Sequence, residues 1–180
     1  GCYMIIYLGE NLKGEIYPSI VREGEVALGV TSVGLNGFVE LLELECGLRR
    51  RHQSSTFQKE HYLQSLEKNI EGSFYKESFL IDPQGVSEHL YSRRCELIKS
   101  GYKFDGSSMP LRLSDMCKVE SDFTCKDSLE DRLASVLEFL TINPDYKINI
   151  DEIRLLVTEE SFPYVVGEIL NLLKNKDISI

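Results

Sequence analysis

The sequence predicts an α/β fold built on a parallel sheet, and three observations predict it. The last third reads strand, helix, strand: Ile153 to Thr158 (IRLLVT) is an apolar run of buried-strand type, Val165, Val166, Ile169, Leu170, Leu172 and Leu173 recur at helical spacing, and strand character returns over 177–180. That order closes as parallel pairing across a crossover helix. Near the N-terminus, Val26 to Thr31 (VALGVT) leads into a second apolar-striped helix, Leu35 to Leu48. Between these ends, over about 55–141, the pattern is helical throughout, which makes this stretch a largely helical insertion.

At 180 residues the chain is long enough for one ordinary domain, or for the N-terminal piece of something longer. Hydrophobic content of 42% and charged content of 27% exclude disordered and disulfide-scaffold classes. No apolar run approaches the roughly 20 residues of a membrane span, so no membrane partner and a cytoplasmic location are expected. Five cysteines, none in a CxxC pair, indicate buried or idle thiols, and no metal ligand set is expected. A formal net charge of −9 opposes long-range attraction to nucleic acid, although a local basic patch can act within an acidic whole.

In chain order, residues 3–8 (YMIIYL) read as the first strand, and the Gly- and charge-rich segment Glu10 to Glu25 as a connection. The second strand, over 26–31, is followed by the helix 35–48, with Glu40, Glu43 and Glu45 outward and Gly47 ending it. Ser55 with Gln58 resembles a capping box opening a helix through Ile70. A short helix is expected over Phe74 to Ile81. The longest helix follows Pro83, with Ser87 able to cap it, Val86, Leu90, Leu97 and Ile98 on its apolar stripe and Gly101 closing it. Arg94 and Glu96 on that helix fit a solvated face. The segment FDGSSMP is read as a polar loop without a nucleophile elbow. Helical spacing resumes from Leu111 to Val119, Ser128 can cap the helix that ends before Asn143-Pro144, and Ser161 can cap the last one. The third and fourth strands are placed over 153–158 and 177–180. His61 and His89 lack a ligand partner one turn away, and His52 among arginines is expected to be exposed.

Two stretches are candidates for binding chemistry. Gly29 to Asn36 (GVTSVGLN) spaces Gly29 and Gly34 as a phosphate-binding loop does. A working loop then needs a Lys for the β- and γ-phosphates and a Ser or Thr for Mg²⁺. Leu35 and Asn36 occupy those two positions, so the site is degenerate and no cofactor is expected; a steric turn and a weak phosphate site are the two readings. Lys13, between Gly9 and Gly14, precedes the second glycine and has acidic neighbours, and is no substitute. Arg49, Arg50 and Arg51 form the one dense basic cluster, read either as a solvated cap past a helix C-terminus or as phosphate contacts for nucleic acid. Glu159-Glu160, after an apolar run, lacks the partner Lys of an ATPase acidic strand end.

At Arg94, Glu96 and Leu97, followed by Gly101-Tyr102 and then by Arg112-Leu113-Ser114-Asp115 with Val119-Glu120, the sequence resembles the N-terminal helicase-like region of AddB-type and RecB-like repair nucleases. Those proteins tend to show a W-R-D-E-L core and an R-L-x-D-L-x-x-V-E stretch; here Arg93 stands for the Trp and Cys95 for the Asp. The stretch GVTSVGLNGFVELLELECGL is similar to the family's early G…LL…LE…GL pattern. The resemblance implies a helicase-like, P-loop-like domain whose ATPase function is often lost, and a buried or semi-buried polar role for Arg94 and Glu96, against the solvated face that the helix pattern allows equally. It also implies a PD-(D/E)XK nuclease domain further along the chain, for which a divalent metal is expected. Asp145, in the only Pro-Asp pair, has no D/E-x-K at hairpin distance, so no catalytic residue is assigned within residues 1–180. The expected role is a noncatalytic scaffold in DNA repair and recombination. DNA is then a partner only in the full-length protein, and a helicase-nuclease subunit is a further partner. The rival reading is a free-standing α/β interaction or nucleotide-binding module.

Overall fold

The computed structural model describes residues 3–9, 29–105 and 111–180. The 10–25 connection with Lys13, the first residues of the expected 26–31 strand, and Gly106 to Pro110 of the polar loop lie outside the described residues. The chain divides into two compact units: residues 1–50 with 133–180, and residues 51–132.

The first unit is α/β. Three parallel strands, β1 (Met4–Leu8), β2 (Gly29–Val33) and β3 (Glu152–Leu155), lie in the order β2-β1-β3. Register runs Met4↔Gly29 to Leu8↔Val33 on one side of β1 and Ile5↔Glu152 to Leu8↔Leu155 on the other. Ile5, Ile6, Tyr7 and Leu8 are all buried, as a central strand covered on both faces requires. Helix α1 (Leu35–Glu45) buries Leu35, Phe38, Val39 and Leu42. Gly37 stands where a Cβ would come within 3.0 Å of the Val33 side chain, so only glycine lets this turn of helix lie so close to the strand that feeds it.

The boundaries differ from the pattern in several places. The second strand continues to Val33, and the third spans Glu152 to Leu155 without reaching Thr158, because the chain turns there into a 3₁₀ turn, Glu159–Ser161. Residues 177–180 form a single bridge, Glu152↔Ser179, and no strand. Helix α1 ends at Glu45 rather than Leu48, since Gly47 takes φ +68° and reverses the chain. Glu43, expected outward, is buried. The cap position of the helix after the 3₁₀ turn is Pro163, not Ser161.

The second unit holds α2 (Ser55–Lys68), α3 (Lys76–Ile81), α4 (Pro83–Lys99) and α5 (Leu111–Asp122), with α4 against α2 and α3, and α2 also against α5. Its core is aromatic. Tyr62 meets Tyr91 and Phe123 edge-on, with ring centroids 5.3 and 5.2 Å apart, an arrangement favoured by the ring quadrupoles. Two of the buried phenol groups find partners: Tyr75 donates to the Leu66 carbonyl and Tyr91 to Gln58 Oε1, each at 2.7 Å. Caps again differ from the pattern. Ser54, not Ser55, accepts the Phe57 N–H at the start of α2. Asp82, not Ser87, accepts the Gly85 N–H at the start of α4, with Pro83 in the first turn where its missing N–H costs nothing. Gly101, at φ +86°, ends α4, and Tyr102 N–H reaches back to the Leu97 carbonyl at 2.9 Å.

Helix α6 (Leu129–Ile142) starts at the end of the second unit and continues into the first, so the helical stretch runs to Ile142 while the second unit ends at Arg132. Helix α7 (Tyr164–Lys174) buries Val165, Val166, Ile169, Leu170 and Leu173. Among the described residues no helix is long and apolar enough to cross a membrane.

Candidate functional site

The buried face of α4 is made by Ser87, Leu90, Tyr91, Arg94 and Ile98. Leu90, Arg94 and Ile98 are spaced four apart, one row along the helix, so the backbone itself carries a guanidinium into the middle of an apolar stripe. Arg94 is 0% exposed, and a cation so placed is tolerable only if paired and fully hydrogen-bonded.

The pairing comes from two other helices. Glu120, near the end of α5, takes Arg94 Nε at 2.7 Å and Nη2 at 2.8 Å; Asp131, in the first turn of α6, takes Nη2 at 2.6 Å and Nη1 at 3.1 Å. The remaining Nη1 proton faces Cys95 Sγ at 3.9 Å. The guanidinium plane also lies over the rings of Phe123 and Tyr91, at 4.7 and 5.7 Å. This fork-to-fork geometry is one that Lys cannot reproduce. Burial alone would push the guanidinium toward losing its proton; the hydrogen bonds and charges of Glu120 and Asp131 more than offset that and hold it charged.

Asp131 does two jobs. Ser128 Oγ accepts the Asp131 N–H at 3.1 Å, and Asp131 Oδ2 accepts from Ser128 N–H at 3.2 Å and Oγ at 2.7 Å, a reciprocal box that starts α6. Two carboxylates against one guanidinium leave one negative charge, and Lys126 Nζ stands 3.6 Å from Glu120 Oε1 at the exposed rim. Cys95 is held as a thiol, its ionisation pushed up to about 11, first by burial and then by Glu130. Asp115 on α5 accepts the Phe74 N–H at 3.0 Å, and Arg112 lies 5.6 Å over the Phe74 ring. The hydrogen bonds and charge pairs of Arg94, Glu120 and Asp131 are buried, with Lys126 at the rim.

The residues picked out for binding fall elsewhere. Gly29 is the first residue of β2, not part of a turn, and Gly34 alone separates β2 from α1, in an extended conformation. Leu35 is buried in the core and Asn36 is exposed. The geometry is that of a one-residue strand-to-helix turn, with no loop long enough to wrap a phosphate. Arg49 and Arg50 end the first unit and Arg51 begins the second; all three side chains are exposed. Glu159 is taken by Lys174, whose Nζ lies 2.9 Å from both carboxylate oxygens.

His52 is not exposed as expected: its side chain is 20% accessible, with Nδ1 3.8 Å from Asp127 Oδ1. His61 packs between the rings of Phe57 and Phe123. Among the described residues no group of three or more His, Cys, Asp or Glu side chains could hold a metal ion. Pattern reading puts Leu97 on the stripe, yet it is half-buried; the signal that finds Arg94 instead is the row Leu90-Arg94-Ile98. Comparison with protein-family models, with curated proteins and with solved structures gives no match.

Proposed function

We infer that this chain is a noncatalytic, helicase-like scaffold region of a DNA end-processing nuclease of the AddB or RecB-like class. One observation carries the reading. The two stretches on which the resemblance rests, RRCEL and RLSDMCKVE, stand apart in sequence, and Arg94 of the first is bound through both of its edges, one of them to Glu120 of the second. Asp115, from the same second stretch, holds the Phe74 backbone. Residues that travel together in a family pattern because they touch are what such a pair would be.

The same fact gives the role its character. These side chains are committed to one another, so they hold α4, α5 and the start of α6 together. The chain contributes shape, and its DNA and partner contacts come from the assembled protein.

The test is a calorimetric titration of the purified chain with Mg·ATP, alongside incubation of the chain with linear duplex DNA and Mg²⁺. Neither saturable heat nor cleavage is expected. Mg-dependent binding in the micromolar range, or cutting by the chain alone, would overturn the noncatalytic assignment.

A further inference from the structure

Helix α6 ends at Ile142, and the turn that follows aims its carbonyl groups at one point. Lys176, just past the end of α7, fills that point: its Nζ donates to the Pro144 carbonyl at 2.7 Å, to Tyr146 at 2.6 Å and to Asn143 at 3.5 Å. The turn also has contacts that do not involve the lysine. Tyr146 N–H bonds the Asn143 carbonyl at 3.1 Å, Tyr146 OH donates to the Glu45 carbonyl at 2.9 Å, and the Tyr146 ring meets Phe139 edge-on at 5.0 Å. The turn is therefore shaped by these contacts as well as by the lysine.

Backbone carbonyls converging on one cation are the chemistry by which proteins replace the hydration shell of a potassium ion. The position adds to it, since the C-terminal end of a helix carries partial negative charge. The three contacts of Lys176 Nζ are all backbone carbonyls, whereas sites for divalent ions of the calcium type are built largely on carboxylates. The seated ammonium is a singly charged cation, and it reports the charge and size the cage takes.

We propose that the Asn143–Tyr146 turn is a monovalent-cation site of potassium size, occupied in this chain by its own Lys176. The tethered ammonium makes the junction between α6 and β3 independent of the surrounding salt. Removing it opens a site for free K⁺ or NH₄⁺.

The experiment compares the wild-type chain with Lys176→Ala, and with Lys176→Met to keep the packing of the stem. Thermal midpoints are measured at equal ionic strength in potassium, ammonium, sodium and choline chloride. Wild type is expected to melt alike in all four. Each variant is expected to melt about 2–4 °C lower in choline chloride, a shift of the size that a single lost contact gives in a domain of this length. Potassium and ammonium should return at least half of that shift, and sodium less. A variant that folds only in potassium or ammonium makes the same point. Equal midpoints for a variant in potassium and choline, no loss on removing Lys176, or failure to fold in every salt would each overturn the proposal.

Discussion

Replacing Arg94 with Met keeps the length and apolar stem of the side chain and removes the charge. Glu120 and Asp131 are then left 7% and 6% exposed, facing each other without the four short hydrogen bonds that now compensate them. Breaking a buried pair from one side costs about 3–5 kcal/mol, because the partner charge stays buried and unpaired. At a urea dependence of about 2 kcal/mol per molar, the loss lowers the unfolding midpoint by about 2 M. That is a large share of the roughly 5–15 kcal/mol that holds a domain together. The assay is urea unfolding followed by far-ultraviolet circular dichroism. Arg94→Lys should lose most of the same stability, since an ammonium cannot engage both carboxylates through two edges. The combination Arg94→Met, Glu120→Leu, Asp131→Asn should recover much of it, because no charge is left unpaired and the new amide oxygen still offers an acceptor to Ser128. A midpoint for Arg94→Met within about 0.3 M of wild type, a shift of well under 1 kcal/mol, would refute the reasoning from buried charge.

High pH should unfold the protein steeply. Burial is the first cause that raises Tyr62, Tyr75 and Tyr91, with Tyr75 pushed up to about 12. Above about pH 10 the unfolded chain gives up phenol protons that the folded chain keeps, so this stability is whole below pH 10 and falls as pH rises toward 12, by up to about 4 kcal/mol per unit for three groups. Phenolate absorbance at high pH should rise together with loss of helix; full titration of all 9 tyrosines near pH 10 with the helix intact would contradict it. For DNA, the chain alone should bind weakly, and if Arg49, Arg50 and Arg51 meet the backbone, a log-log salt slope of about −2 to −3 should flatten when all three become Ala. Fluorescence anisotropy across a salt series reads this, and tight binding that survives the triple replacement would place the contacts elsewhere.

Much of the fold is legible because burial has a period. The run MIIYL can only be a fully covered strand, and the stripe of α7 (Val165, Val166, Ile169, Leu170, Leu173) can only be one face of a helix. Caps are less legible, since Ser54 and Ser55, or Asp82 and Ser87, offer the same chemistry at nearby positions and tertiary geometry chooses between them. Gly29 and Gly34 show the limit of spacing as evidence: the same interval that would frame a loop is spent on five residues of strand. The cluster is half-visible. The resemblance marks Arg94, but an apolar stripe that counts leucines skips the cation between them, and only the row Leu90-Arg94-Ile98 points to its burial. The two carboxylates that make that burial tolerable lie 26 and 37 residues away.

Whether this chain is the scaffold of a nuclease is decided on the complete reading frame. The full-length product, expressed with any partner subunit it needs, is incubated with linear duplex DNA and Mg²⁺ and followed by gel. Degradation that chelation abolishes, and that requires a PD-(D/E)XK motif beyond Ile180, is the expected outcome. A reading frame that stops near Ile180, or a longer product that lacks such a motif and leaves linear DNA intact, would contradict the assignment.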